Sequence, residues 1–118
     1  MLYSFFLEKI RLAEQLGVKR NSLILDPGID FAKQKNDNLI IYRELRTLSN
    51  SFSIPLLLPV SRKSVIGEVL GISRPCQRDP GTVSCIVAGL LRGVSIFRVH
   101  NVKAAVAAIR TIYPITHV

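Results

Sequence analysis

Three apolar runs in this chain each end in polar residues that can do chemistry. Asp26 follows Ser22–Leu25, Ser61-Arg62-Lys63 follows Ile54–Val60, and Arg98 and His100 flank Val99 at the end of Ser95–Val99. Together they offer one carboxylate and up to four cationic groups. That set can hold a hydrogen-bonding heterocycle at one place and an anionic tail at another. Taken singly, each cluster reads equally well as ordinary loop charge. Three successive runs ending alike argue for a shared rim, because parallel strands joined by helices bring their C-terminal ends together.

Each residue type has a reason to be there. Asp26 sits between Leu25 and Pro27, where a carboxylate is expected to be poorly solvated unless something donates to it. It would accept paired N–H groups from an amidine-like ring edge, or backbone N–H groups within its own Asp-Pro-Gly turn. Lys63 stands at a helix start, where a cation gains nothing from the helix dipole, so a ligand is the better explanation for it. Arg98 offers a flat face for stacking and a fork of donors, which lysine cannot combine. His100, one residue beyond a strand and beside a helix start, suits an anion-facing role.

The elements that would position these groups follow from apolar spacing. Leu2, Phe6, Ile10 and Ala13 predict an amphipathic first helix, with Gly17 as a left-handed cap. Asn36, Asp37 and Asn38 are candidate caps for a second helix, whose apolar face is Ile41, Leu45, Leu48 and Phe52. A short helix spans Ser64–Leu70 and stops at Gly71. Asp79-Pro80 predicts an N-cap with proline at the first helical position, opening a helix lined by Val83, Ile86, Val87 and Leu90 and closed by Gly93. Asn101 caps a last helix with Val102, Ala105, Val106 and Ile109 facing inward and Pro114 beyond its end. The order α-β-α-β-α-α-β-α implies an α/β fold with parallel strands and right-handed crossovers.

With 118 residues, 48% of them hydrophobic, the chain has material for a single core. Its net charge of +8 suits acidic ligands, but the basic residues are scattered and aromatics make up 7%, so neither a basic arm nor a base-stacking platform is present, and nucleic acid is not the expected partner. Cys76 and Cys85 lack the spacing of a zinc site, and reduced thiols in a cytoplasmic protein are expected. Glu8 interrupts the apolar start and no run reaches the roughly 20 residues of a membrane span, so neither a signal peptide nor membrane insertion is expected.

The segments Ile24-Leu-Asp-Pro-Gly-Ile-Asp-Phe-Ala-Lys33, Pro59-Val-Ser-Arg-Lys-Ser64 and Phe97-Arg-Val-His-Asn-Val102 resemble, in order and spacing, the three C-terminal signatures of the dihydropteroate synthases. The resemblance runs from about Ala13 to Ile112 and implies the last three βα units of a (βα)8 TIM barrel, incomplete in this chain. It implies a transferase of folate biosynthesis that joins p-aminobenzoate to 7,8-dihydropterin-6-ylmethyl diphosphate and releases pyrophosphate, with Mg2+ assisting and its ligands outside this chain. It assigns Asp26, Lys63 and Arg98 to the pterin, Phe31, Ser61 and Arg62 to the aminobenzoate, and Arg98 and His100 to the pyrophosphate. Lys63, Arg98 and His100 thereby become the catalytic set.

The sequence departs from the family pattern at Asp30 and Pro59, where glycine is usual, and at Asn101, where aspartate is usual. The family's N-terminal signatures have no counterpart here, and the expectation is a fragment not active alone. Open sheet edges and an uncovered inner face would make it depend on a homodimer through its C-terminal helices or on a missing N-terminal segment. Two other readings stand beside this one. A related pterin-binding methyltransferase barrel would need neither Ser61-Arg62-Lys63 nor Arg98 with His100, and a non-catalytic dimerisation remnant would need only the helices.

Overall fold

Leu25 is the first residue to enter the sheet. Its N–H donates to Pro55 O at 2.9 Å and its carbonyl accepts from Leu57 N at 2.8 Å, forming a parallel bridge to Leu56. Strand β1, Leu57–Leu58, then pairs in parallel with β2, Ile96–Phe97, in the register Leu57 to Ile96 and Leu58 to Phe97. The computed structural model describes residues 2–29 and 35–117, so Asp30, Phe31 and the rest of the first motif up to Lys33 lie outside the described residues. The described residues form five α-helices beside this small sheet: α1 (Leu2–Gln15), α2 (Lys35–Phe52), α3 (Ser64–Leu70), α4 (Asp79–Leu91) and α5 (Val102–Thr116). Among the described residues no helix is long and apolar enough to cross a membrane.

The strands are shorter than their apolar runs, and the reason is local. Pro55 and Pro59 have no N–H to give, so the ladder is interrupted on both sides of β1, and Val60 N turns back to Leu58 O at 3.0 Å. Arg20–Ser22 forms a 3-10 turn that uses up the start of the expected first strand, leaving Leu25 alone to bridge.

Three helix boundaries also differ from expectation. Asn36, Asp37 and Asn38 lie within α2 rather than capping it, and Asn38 is buried. Asp79 is the first residue of α4, not its cap, because its carboxylate is committed to side chains of other loops. Pro114 lies inside α5; the last turn is held by Thr116 Oγ1 donating to Ile112 O and by His117 N donating to Tyr113 O at 2.9 Å. Ala105 is the buried residue of α5 and Ile109 packs against the core, while Val102 and Val106 are exposed, so the inward face is narrower than the apolar spacing suggests.

Helix α2 ends where the chain turns left-handed at Ser53 (φ 53°), and the guanidinium of Arg20 donates to the Phe52 carbonyl at 2.7 Å. Phe52 also anchors α1, stacking with Tyr3 at 5.1 Å and meeting Phe6 edge-on at 6.1 Å. Asn101 does cap α5, its side chain accepting from Ala104 N at 3.0 Å.

The two faces of the sheet have different surroundings. Side chains alternate along a strand, so the parallel register sets Leu25, Leu56, Leu58 and Phe97 on one face and Ile24, Asp26, Pro55, Leu57, Ile96 and Arg98 on the other. Helix α4 lies flush on the first face: a Cβ added to Gly89 would meet Leu58 Cδ2 at 2.9 Å and Phe97 Cε1 at 3.0 Å. On the second face Ile24, Asp26, Pro55 and Arg98 are exposed, and Leu57 and Ile96 are half-buried.

Candidate functional site

The parallel pairing fixes where the polar clusters stand. Asp26 directly follows the Leu25 bridge, Ser61–Lys63 follow β1, and Arg98 follows β2 with its N–H on Leu58 O at 3.3 Å. All three clusters therefore lie past the C-terminal ends of parallel strands. Asp26 is exposed, not desolvated as expected from its neighbours, and its Oδ1 accepts from Gly28 N at 2.8 Å within its own turn. Lys63 holds an extended conformation just before α3.

The second and third clusters are joined directly. Ser61, which is buried, accepts from His100 N at 3.0 Å, and its Oγ also lies 2.7 Å from His100 Nδ1. That leaves Nε2 as the ring nitrogen not engaged by Ser61. Val99 packs against the core between Arg98 and His100 and anchors this segment.

Arg62 adopts φ 57°, in the left-handed region that residues other than glycine rarely adopt. Its surroundings compensate. The Arg62 N–H donates to Thr82 Oγ1 at 3.0 Å, and its carbonyl accepts from Arg78 Nη1 at 3.0 Å. Its guanidinium grips Asp79 in a two-point pair, Nε to Oδ1 at 2.9 Å and Nη2 to Oδ2 at 3.3 Å. Asn101 Nδ2 donates to the same Asp79 Oδ2 at 3.2 Å. The hydrogen bond from Arg62, then that from Asn101, holds the Asp79 carboxyl below the usual carboxylate range, while the bond to Asp79 raises the Arg62 guanidinium.

Arg78, Asp79 and Thr82 are thus parts of the site that reading the sequence assigned no such role. The signal available was an Arg-Asp pair opening a helix, and a cap accounts for that pair equally well. Among the described residues no group of three or more His, Cys, Asp and Glu can hold a metal ion. Of the two carboxylates described above, Asp26 accepts from its own turn and Asp79 is taken by Arg62 and Asn101. The described residues do not fit a Mg2+ site.

An apolar cavity of about 340 Å³ lies away from the strand ends, between α2, α3 and α4, lined by Leu39, Tyr42, Ile66, Val69, Leu70 and Cys85 among others. Burial pushes the Cys85 thiol up, partly opposed by a hydrogen bond with Tyr42, so this cysteine is a poor nucleophile.

Parallel strands with a helix packed on one face, and charged and polar groups past the strand ends, define an α/β protein with a candidate ligand site at the C-terminal ends of its strands. The chain belongs to the pterin binding enzyme family, which matches residues 2–100. It is 38% identical over 108 residues to the dihydropteroate synthase of Escherichia coli, an alignment covering 92% of this chain and 38% of that relative. The crystal structure of the Yersinia pestis dihydropteroate synthase superposes with a TM-score of 0.93 at 35% identity, covering 98% of this chain and 54% of the other. The Xanthomonas albilineans dihydropteroate synthase in complex with 7,8-dihydropteroate gives the same TM-score and identity, covering 98% of this chain and 44% of the other. The chain thus spans well under half the length of that Escherichia coli relative.

Proposed function

We propose that this chain forms one wall of a dihydropteroate synthase site, as the last three βα units of a (βα)8 barrel in the cytoplasm. The observation that carries the reading is the gathering of Asp26, Ser61–Lys63, and Arg98 with His100 past the ends of parallel strands, in a chain of the pterin binding enzyme family. The relative bound to 7,8-dihydropteroate supports the substrate class.

In this reading Asp26 accepts N–H groups of the pterin edge, Lys63 reaches its carbonyl and ring nitrogen, and Arg98 stacks on its face. Arg98 and His100 neutralise the departing diphosphate, Nε2 of His100 being the ring nitrogen that Ser61 does not engage. Ser61, Arg62 and Phe31 border the aminobenzoate. The carbon–oxygen bond to the diphosphate breaks toward a pterin-stabilised cation, and the aminobenzoate amine forms the new carbon–nitrogen bond and gives up a proton. Stabilising the leaving anion matters more here than a strong base. Mg2+, which the family resemblance implies, would need ligands from outside the described residues. Association belongs to the reading as well: the open sheet face suits an N-terminal segment, and exposed Leu91, Val102, Val106 and Tyr113 on α4 and α5 suit a second copy of the chain.

Pyrophosphate titration followed by NMR tests the anion site. The His100 ring signals should move on addition of pyrophosphate, Arg98→Ala should abolish the movement, and rising salt should weaken it, since screening acts on exposed charges. A His100 ring indifferent to pyrophosphate at low salt would overturn the assignment.

A further inference from the structure

The loop after β1 and the loop after β2 are tied at two places. One tie is Ser61 to His100, and the other is Arg62 to Asp79 to Asn101. The second tie is built from outside both loops, by the start of α4. Within the stretch 78–82, Arg78 takes the Arg62 carbonyl, Asp79 takes its guanidinium and Thr82 takes its N–H. Arg78 is itself fixed, with Nε on Ile72 O at 3.2 Å and Nη2 on Ser73 O at 3.0 Å. A Cβ on Gly67 would run into the Arg78 guanidinium, so the bare face of α3 is what admits it.

This arrangement determines the conformation of Arg62, and Arg62 lies between Ser61 and Lys63. A residue at φ 57° reverses the chain direction locally. Relaxing it to an ordinary conformation would swing Ser61 away from His100 and Lys63 away from the strand end. Asp79 also fixes the other loop, because the Asn101 side chain that caps α5 through Ala104 N donates to Asp79 with its other end.

We propose that Asp79 is a positioning residue: through Arg62 and Asn101 it locks the Ser61–Lys63 loop and the Arg98–Asn101 loop into one rigid anion-binding unit. The ligand side of this inference rests on the function proposed above; the mechanical side does not. Arg62 then serves the site chiefly by holding its neighbours in place, its guanidinium facing Asp79.

The test uses the 118-residue chain, inorganic pyrophosphate as probe, and amide hydrogen exchange as a second readout. Asp79→Ala and Arg62→Ala should each speed exchange at the His100 and Arg62 amides and weaken pyrophosphate binding about tenfold, as expected for coupled neighbours. Exchange at Leu45, in the core of α2, should stay as in the parent. The double variant should be no worse than the worse single one, because both break the same tie. Additive losses, or an unchanged His100 amide in Asp79→Ala, would overturn the proposal. If Asp79→Ala does not fold, Asp79→Asn keeps the shape and should show the same exchange pattern in weaker form, and its absence would also overturn it. If the parent chain shows no pyrophosphate response, the anion reading falls, and amide exchange alone still decides whether Asp79 locks the two loops.

Discussion

The two faces of the small parallel sheet have opposite fates. Leu58 on the helix side is 0% exposed and meets α4 across Gly89, whereas Ile24 on the opposite side is 55% exposed. The first face is complete within the chain and holds it together. The second carries Asp26 and Arg98, the groups proposed to bind pterin, beside apolar side chains left in water. In the proposed reading stability and function are divided between the faces, and the face proposed to carry the chemistry is the one left uncovered by the described residues.

The sharpest way to break this comparison is to cover the open face. Purified chain with both substrates and Mg2+ should give no measurable dihydropteroate, and adding the N-terminal segment of a homologous dihydropteroate synthase should produce turnover. Holding two reactants in near-attack geometry is worth roughly 7 to 11 kcal/mol of barrier, so the difference should span several orders of magnitude. Turnover by the chain alone would show that the open face is not a deficit.

A smaller effect separates the faces in stability. Leu58→Ala should lower the unfolding free energy by about 2 to 5 kcal/mol in urea melts, because it empties a filled core site. Ile24→Ala should shift it by less than about 1 kcal/mol in the uncomplemented chain. Equal losses at the two positions would mean that the open face is buried in solution, by self-association that size-exclusion chromatography would detect.

The smallest expected effect is in acid. The Asp79 carboxyl lies below its ordinary range in the folded chain, so its contribution is fully present above the unfolded carboxylate value, about 3.9, and is lost as pH falls through the lower folded value. Melting temperatures of the parent and Asp79→Asn should differ above pH 4 and converge below it. A gap that stays constant as pH drops would contradict the Arg62–Asp79 pairing.

The helices were legible in the sequence because apolar residues recur in them at helical spacing, although the start of α2, the start of α4 and the end of α5 were not placed correctly. Gly71 at φ 70° and Asn101 with its bond to Ala104 N are where their types predicted them. The strands were only partly legible: an apolar run marks burial, but ladder length depends on which N–H groups exist, and Pro55 and Pro59 remove two of them. At the candidate site, the residue types at the strand ends were readable and their partners were not. Asp79 looked like a cap because the sequence places it before a proline, and its true partners, Arg62 and Asn101, lie 17 and 22 residues away. Arg62 gave no sign of its left-handed backbone, since that conformation is imposed by Arg78, Asp79 and Thr82 rather than by Arg62 itself.

The sheet's connectivity bears on how the chain comes into being. Leu25 pairs with Leu56 and Leu57 with Ile96, so among the described residues each sheet-forming segment pairs with the next one made. At a synthesis rate of about 5 to 20 residues per second, each pairing becomes possible a few seconds after the one before it. These pairings can thus form in the order in which they are translated. Until β2 emerges, the free edge of β1 is the surface on which a nascent chain would stick to its neighbours, and a ribosomal pause between Val60 and Ile96 would prolong that exposure.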